Sequence, residues 1–181
     1  MESYLALLRG INVGGKNIIK MSDLKSCFES LGFNDVSTYI QSGNVIFKTK
    51  SKNKERVEKN IEVCLSKKFN YEAKIVLLNM DELKNVVSKF PKVFGDNTWK
   101  HNVIFLRKQI DNKNILNLFK TDSGIEELHY LKGVLFWSAN LKNLTKSKMI
   151  KLSRKPEYKE MTVRNINTTR KLYDLLIKYS S

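Results

Sequence analysis

The hydrophobic and polar positions along the first half of the chain predict a strand, a helix, two strands, a helix and a strand. The opening run at residues 4–9 is almost continuously apolar, which is typical of a strand buried on both faces. Gln41-Ser42-Gly43-Asn44 separates the middle pair of strands and is typical of a hairpin turn. The pattern predicts these elements at residues 4–9, 24–31, 36–40, 45–49, 57–65 and 74–79.

A second set of elements follows a connecting helix that Pro91 ends. The predicted elements are a strand, a short helix, two strands, a basic and weakly amphipathic stretch, a strand and a final helix. They fall at residues 101–107, 111–119, 127–131, 134–138, 141–154, 158–164 and 168–179.

The repeated order predicts an α+β fold made by tandem duplication of a ferredoxin-like β-α-β-β-α-β unit, with a linking helix and a C-terminal helix. The first half is predicted to span residues 1–90, the linker 91–99 and the second half 100–181. The two halves also correspond locally, since Leu7-Leu8-Arg9 resembles Phe105-Leu106-Arg107 and Ser42-Gly43-Asn44 resembles Lys132-Gly133-Val134.

The 181 residues carry a net charge of +15, from 33 basic and 18 acidic side chains. A basic surface favours polyanions, and nucleic acid is the first of these. Most of the basic residues are lysines, however, and a chain rich in Lys, Asn and Ile is also what AT-rich codons supply. Lysine is a weaker indicator of phosphate recognition than the planar arginine fork. A functional origin of the charge and a compositional one therefore both stay open.

Two cysteines and two histidines exclude a disulfide framework and a cysteine-built zinc site. We therefore expect no metal and no cofactor. The longest apolar run is too short to cross a membrane, and the N-terminus lacks the basic region of a signal peptide. We expect a cytoplasmic protein without a membrane partner.

The main candidate site is the glycine-rich loop after the first strand. Glycines let the backbone approach a ligand, and the predicted topology brings the loop and the hairpin turn to the same sheet edge. Cations, amides and hydroxyls that converge there would suit a phosphate or carboxylate. The alternative is that the polar side chains only satisfy the turn and that the arginine braces it. The candidate residues are Arg9, Asn12, Gly14, Gly15, Lys16, Gln41, Ser42 and Asn44.

A secondary candidate precedes the final helix, where Arg164 and Lys171 flank Asn165 and Asn167. It predicts either a second anion site or, as we interpret it, a helix cap provided by Asn165 or Asn167. The basic run from Lys146 to Lys155 predicts either a surface that follows a phosphate backbone or a solvated helix face, and we interpret it as the second.

Catalytic motifs are scarce. Cys27 and Cys64 lie at apolar helix positions, which predicts core residues rather than nucleophiles. His101 and His129 have no serine or paired carboxylate pattern around them, so the sequence argues against an enzyme without excluding one.

Three blocks carry a resemblance to a known family. Residues 6–16, which read ALLRGINVGGK, and residues 38–45, which read TYIQSGNV, are similar to the first two signature blocks of a bacterial family described as domain of unknown function 1697. Residues 162–168, TVRNINT, resemble its C-terminal block, with Ile166 where that block usually has tryptophan. The resemblance implies two ferredoxin-like halves, and it implies no particular activity.

The sequence thus favours a binding protein for an anionic ligand at the glycine-rich loop. The ligand would be a nucleotide, a phosphorylated small molecule or nucleic acid. Two alternatives stay open, namely an enzyme for a small phosphorylated or carboxylated substrate and a module that contacts only a protein partner.

Overall fold

Two four-stranded antiparallel sheets, with helices, form the α+β architecture of the computed structural model, which describes residues 1–119 and 121–180. The chain divides into two compact units. The first unit comprises Met1–Lys84 and Lys171–Ser181, and the second comprises Asn85–Arg170. The domain boundaries that the sequence predicts stay a prediction.

The first sheet has the strand order β2-β3-β1-β4. Its elements are β1 (Glu2–Leu8), α1 (Met21–Glu29), β2 (Asn34–Tyr39), β3 (Asn44–Thr49), α2 (Lys54–Phe69) and β4 (Ile75–Asn79). Strand β1 lies in the centre and pairs with β3 and β4, and this position explains why its sequence is apolar on both faces. Leu5 and Leu8, which project from opposite faces of β1, are both buried.

Helices α1 and α2 pack on one face of the first sheet. Phe28 of α1 meets Phe47 of β3 edge to face, with ring centroids 5.4 Å apart, and Phe33 stacks on the same ring at 4.4 Å. The side chain of Asn53 accepts a hydrogen bond from the backbone N–H of Arg56 and so caps the start of α2. The aromatic contacts hold α1 against the sheet, and Val57, Ile61 and Leu65 of α2 are buried in the same core.

The second sheet has the order β6-β7-β5-β8. The remaining elements are α3 (Met80–Ser88), β5 (Trp99–Leu106), β6 (Glu126–Leu131), β7 (Val134–Asn140), β8 (Met161–Asn165) and α4 (Ile166–Ser180), with 3₁₀ helices at Lys92–Gly95, Lys113–Leu118, Leu141–Lys146, Lys148–Arg154 and Pro156–Glu160.

The basic stretch predicted at residues 141–154 consists of short 3₁₀ helices. Asn140 and Ser147 each accept a hydrogen bond from a backbone N–H two residues later, so each starts a new turn. Pro156 begins the next 3₁₀ helix, which places the start of β8 at Met161, three residues later than the predicted start. Repeated capping therefore divides a segment whose apolar pattern is too weak to sustain one long helix.

Each unit has the same pair of backbone hydrogen bonds at the end of its central strand. The N–H of Leu8 donates to the carbonyl oxygen of Gly43 at 2.8 Å, and that of Leu106 donates to Gly133 at 2.8 Å. The N–H of Arg9 donates to Lys74 at 3.1 Å, as that of Arg107 donates to Glu160 at 3.0 Å. The local correspondence in sequence is thus accompanied by the same connections at the end of each central strand.

Among the helices that the structure describes, none has the length and apolar character needed to span a membrane. Within residues 1–119 and 121–180, no group of three or more His, Cys, Asp or Glu side chains is arranged to hold a metal ion.

Candidate functional site

The loop between β1 and α1, residues 9–20, is compact and rich in glycine. The N–H of Asn12 donates to the carbonyl oxygen of Asn17 at 3.1 Å, and the N–H of Lys16 donates to that of Val13 at 3.1 Å. Five of its residues have a positive φ, which the glycines and asparagines tolerate best. They are Gly10 (67°), Asn12 (53°), Gly14 (59°), Gly15 (73°) and Asn17 (47°).

Asn12 ties the loop to the neighbouring turn. Its Nδ2 donates to the carbonyl oxygens of Ile19 at 3.0 Å and Gln41 at 2.9 Å, and its Oδ1 accepts from the N–H of Ile19 at 2.8 Å. Asn17 Nδ2 donates to the carbonyl oxygen of Gly10 at 2.8 Å. These bonds use the amide of Asn12 to hold the loop, so this residue positions the site.

The β2–β3 turn occupies residues 40–43 and is held by Asn44. The side chain of Asn44 is fully buried, and its Nδ2 donates to the carbonyl oxygen of Tyr39 and to Ser42 Oγ, both at 2.9 Å. The predicted convergence of loop and turn is present through the Asn12–Gln41 bond. Asn12, Ser42 and Asn44 make the turn-satisfying contacts that the sequence left open as an alternative.

Gly43 lets the turn lie directly on β1. A Cβ atom at this position would lie 2.7 Å from Leu8 Cβ and 2.9 Å from Ile11 Cδ1, which is closer than real side chains pack. Its φ of 73° is also unfavourable for other residues. The equivalent Gly133 has a φ of 88° but open space where its Cβ would be.

Three β-branched apolar side chains face solvent at this edge. Val13 is 65% exposed and Ile18 is 78% exposed on the loop, and Ile40 is 48% exposed on the turn. Ile40 also has a φ of 48°, which is an outlier for a β-branched residue. Sequence reasoning missed Val13, Ile18 and Ile40 as site residues. The available signal was their position beside glycine- and asparagine-rich turns, outside the periodic core pattern.

The edge is also positively charged. Residues 9–20 contain Arg9, Lys16 and Lys20 and no carboxylate. Lys16 and Lys20 are exposed, whereas Arg9 is half-buried. In the second unit, Arg107 forms an ion pair with Glu160, with Nε and Oε2 2.9 Å apart, and the position that matches Glu160 in the first unit is Lys74. The first unit thus has a lysine, whose Nζ lies 3.3 Å from Glu72 Oε1, where the second has an anion.

The secondary candidate contains a buried cation and a cap. Arg164 is 7% exposed, its Nη1 donates to the carbonyl oxygen of Val163 at 2.8 Å, and burial lowers its pKa to about 10. Asn165 Oδ1 accepts from the N–H of Asn167 at 2.7 Å at the start of α4, which is the capping contact that the sequence predicts. Lys171 is exposed on α4.

The contacts of His101 and of the two cysteines are internal, whereas His129 is exposed beside Glu127. His101 Nε2 donates to the carbonyl oxygen of Asp96 at 2.8 Å, and Nδ1 is hydrogen-bonded to Ser138 Oγ at 2.9 Å. Ser138 is 1% exposed, which places its hydroxyl out of reach of a substrate. Burial raises the pKa of the Cys27 thiol to about 12, and Cys64 Sγ donates to the carbonyl oxygen of Cys27 at 3.6 Å.

Comparison with known families decides the classification. The profile of the family described as "Protein of unknown function (DUF1697)" matches residues 1–136, which is well over half of the chain. The chain belongs to this family. The match contains the glycine-rich loop and the turn, while the predicted C-terminal block at residues 162–168 lies beyond it. No curated protein matches the chain.

A solved structure has the same fold as this DUF1697 member. It is that of the conserved bacterial protein SP0830 from Streptococcus pneumoniae, which is 26% identical in sequence. The superposition has a TM-score of 0.86 and covers 97% of this chain and 98% of the other. The α+β architecture is therefore shared over nearly the full length of both proteins.

Proposed function

We propose that this chain is a binding protein for a phosphate-bearing ligand. Its site is the binding edge, which comprises the loop at residues 9–20 and the turn at residues 39–44. One observation carries the proposal: a loop held by internal hydrogen bonds presents Val13, Ile18 and Lys16 to solvent.

The exposed apolar groups support a binding role because they cost stability without contributing to the core. An Ile in the left-handed region is strained by about 1–2 kcal/mol, and such strain persists where the surrounding structure enforces it, often at binding sites. Ile40 is both strained and 48% exposed. A partner that covers this edge would bury the apolar surface of Ile40 together with that of Val13 and Ile18.

The charge of the edge favours an anion. Lys16 lies at the loop tip beside Gly14 and Gly15, whose backbone N–H groups donate no hydrogen bond to any residue within 1–119 or 121–180. An exposed ammonium beside unused N–H donors suits phosphate oxygens, which accept several hydrogen bonds at once. In this arrangement Lys16, Gly14 and Gly15 contact the ligand, with Arg9 adding positive charge.

The test uses the full chain and a panel of phosphate ligands: ATP, pyrophosphate and a short single-stranded RNA. Thermal shift identifies the ligand, and calorimetry then measures its affinity for Lys16→Glu and for Lys52→Glu. Lys52 is exposed beyond the far end of β3, so it supplies the same charge change away from the edge. We expect Lys16→Glu to weaken binding about tenfold and Lys52→Glu to change it less than about threefold.

Each outcome separates one hypothesis from another. Equal losses in the two variants would show that bulk charge attracts the ligand and would contradict a site at the edge. Turnover of ATP would favour the enzyme alternative. An absence of any phosphate ligand up to millimolar concentration would leave the protein-partner role as the better explanation.

We also infer that the two units are copies of one ferredoxin-like unit. The identical strand orders and the matching Leu8–Gly43 and Leu106–Gly133 hydrogen bonds support this inference. In the second copy, 3₁₀ helices replace both long helices of the first. An experimental structure in which the two sheets superpose in the same strand order would support the duplication, and different orders would contradict it.

A further inference from the structure

A cavity of about 660 Å³ lies within the second unit, distant in sequence from the binding edge. Its lining comes from the end of one 3₁₀ helix, from the start of β6 and from a second 3₁₀ helix, and comprises Asn117, Leu118, Phe119, Thr121, Glu126, Lys148, Met149, Lys151, Arg154 and Lys155. Its volume falls in the range of about 300–1,000 Å³ that is typical of small-molecule sites. Leu118, Phe119 and Met149 supply apolar surface to the cavity, and Lys151, Arg154 and Lys155 supply positive charge.

The cations of this cavity are available to a ligand. Lys151, Arg154 and Lys155 form no ion pair with any carboxylate of residues 1–119 or 121–180. Lys148, which also lines the cavity, differs because its Nζ lies 2.5 Å from Asp122 Oδ1. Three like charges in one small volume repel one another, and an anion that enters would relieve this repulsion.

A buried carboxylate organises the cationic wall. Glu126 is 2% exposed and accepts hydrogen bonds from Ser147 Oγ, from the N–H of Lys148 at 3.1 Å and from the N–H of Met149 at 3.3 Å. Trp137 Nε1 lies 3.4 Å away from the same carboxylate. Because these donors occupy its oxygens, Glu126 holds the 3₁₀ helix that carries Lys151 and Arg154, and its charge is offset locally.

The lining also contains apolar and aromatic side chains. Phe119, Leu118 and Met149 line the cavity, and Lys155 Nζ lies 5.9 Å from the centroid of the Phe119 ring. An inorganic anion alone would leave this apolar surface exposed to solvent. A ligand that is only apolar would leave three cations without a counter-charge.

We propose that this cavity binds a nucleotide, with the base against Phe119 and Leu118 and the phosphate at Lys151, Arg154 and Lys155. The planar guanidinium of Arg154 can contact two phosphate oxygens at once, which a lysine cannot. A free mononucleotide and one nucleotide of a single strand offer the same chemistry. The site does not depend on the binding edge of the first unit.

The test is a calorimetric titration of the full chain with AMP. We expect saturable binding that weakens about tenfold in Lys151→Glu and in Arg154→Glu, because each replaces a phosphate contact by a repulsive charge. Lys142→Glu is the matched control, since Lys142 is exposed on the neighbouring 3₁₀ helix and does not line the cavity. It should change the affinity less than about threefold.

The variants also separate this site from the binding edge. Lys52→Glu, which lies outside both the cavity and the binding edge, should leave the affinity for AMP unchanged. If Lys16→Glu abolishes AMP binding while Lys151→Glu and Arg154→Glu do not, the cavity is not the nucleotide site. Equal losses in Lys142→Glu and Arg154→Glu, or no saturable binding at millimolar AMP, would overturn the proposal.

Three further ligands test the two halves of the proposed chemistry. Inorganic phosphate that binds as tightly as AMP would overturn the role of the apolar and aromatic side chains, and adenosine that binds as tightly would overturn the role of the cations. A tetra-adenylate strand that binds more tightly than AMP, with the same sensitivity to Arg154→Glu, would support the nucleotide site and identify a single strand as its source.

Discussion

The Nδ2 of Asn12 lies 2.9 Å from the carbonyl oxygen of Gln41 and donates a hydrogen bond across 29 positions of sequence. This bond joins the glycine-rich loop to the β2–β3 turn, and the same side chain holds Ile19 through two further bonds. The amide of Asn12 therefore supplies this contact between loop and turn, and its contribution to stability can be tested separately from ligand binding.

Replacing Asn12 should loosen this edge. Asn12→Gly retains a residue that accepts a positive φ but removes all three side-chain hydrogen bonds, so we expect a loss of about 1–3 kcal/mol in the free energy of unfolding. Urea denaturation measures it. Lys16→Gly, in the same loop, is the control, and a loss as large in that variant would show that loop flexibility rather than the Asn12 bonds is responsible.

Gly43 and Gly133 form a matched pair for a test of close packing. Both have a positive φ, but only at Gly43 would a Cβ lie within 3.0 Å of Leu8 and Ile11 atoms. Gly133→Ala should lower the free energy of unfolding by about 1 kcal/mol because of backbone strain. Gly43→Ala should lower it by about 1–3 kcal/mol more because of overpacking. Thermal unfolding compares the two, and equal losses would contradict the close approach of the turn to β1.

Replacing Ile40 should raise the stability of the protein and weaken its binding of the ligand. Ile40→Gly removes the strain of a β-branched residue at a φ of 48°, and it should raise the free energy of unfolding by about 0.5–1 kcal/mol. The same variant should weaken the phosphate ligand of the binding edge because it removes exposed apolar surface. Denaturation and titration of one sample measure both effects. A destabilised Ile40→Gly would mean that the Ile40 side chain contributes packing that outweighs its strain.

The thiol of Cys27 should be protected in the native state. Its pKa is raised to about 12 by burial, with a further contribution from Cys64. In the unfolded chain the thiol ionises near its ordinary value of 9.0, so the unfolded state loses a proton first. Stability should therefore fall as the pH rises above about 9. Alkaline denaturation of the wild type and of Cys27→Ala measures this, and equal pH slopes would contradict it.

Glu126 should be the most sensitive acidic residue of the second unit. Glu126→Gln places a neutral amide, with N–H donors of its own, opposite the donors of Ser147 and Met149. We therefore expect the free energy of unfolding to fall by about 2–4 kcal/mol. Glu127→Gln, one position along β6, is the control, because Glu127 is only half-buried. Chemical denaturation distinguishes them, and a loss below that of the control would rule out the anchoring role of Glu126.

Local sequence patterns were sufficient for most of the regular elements. The apolar run of β1, the helical spacing of Leu24, Cys27 and Phe28, and the Gln41–Asn44 turn each have a short-range physical signature, and the structure has β1, α1 and the turn at these places. The same patterns failed at residues 141–160. Capping by Asn140 and Ser147 outweighs a weak helical period there, and neither residue's capping partner can be inferred from hydrophobicity.

The sequence by itself determined the family, through the motif blocks that resemble it. Composition and periodicity determined the α+β class, the central position of β1 and the basic character of the chain, because they are properties of neighbouring residues. Only the tertiary structure decided that the side-chain amides of Asn12 and Asn44 form hydrogen bonds to the loop and the turn, and that Ile40 is strained and exposed. It also decided that Lys151, Arg154 and Lys155 line a cavity with Phe119. These features depend on which distant segments meet, and the backbone conformation that each residue adopts there is set by contacts that no local pattern contains.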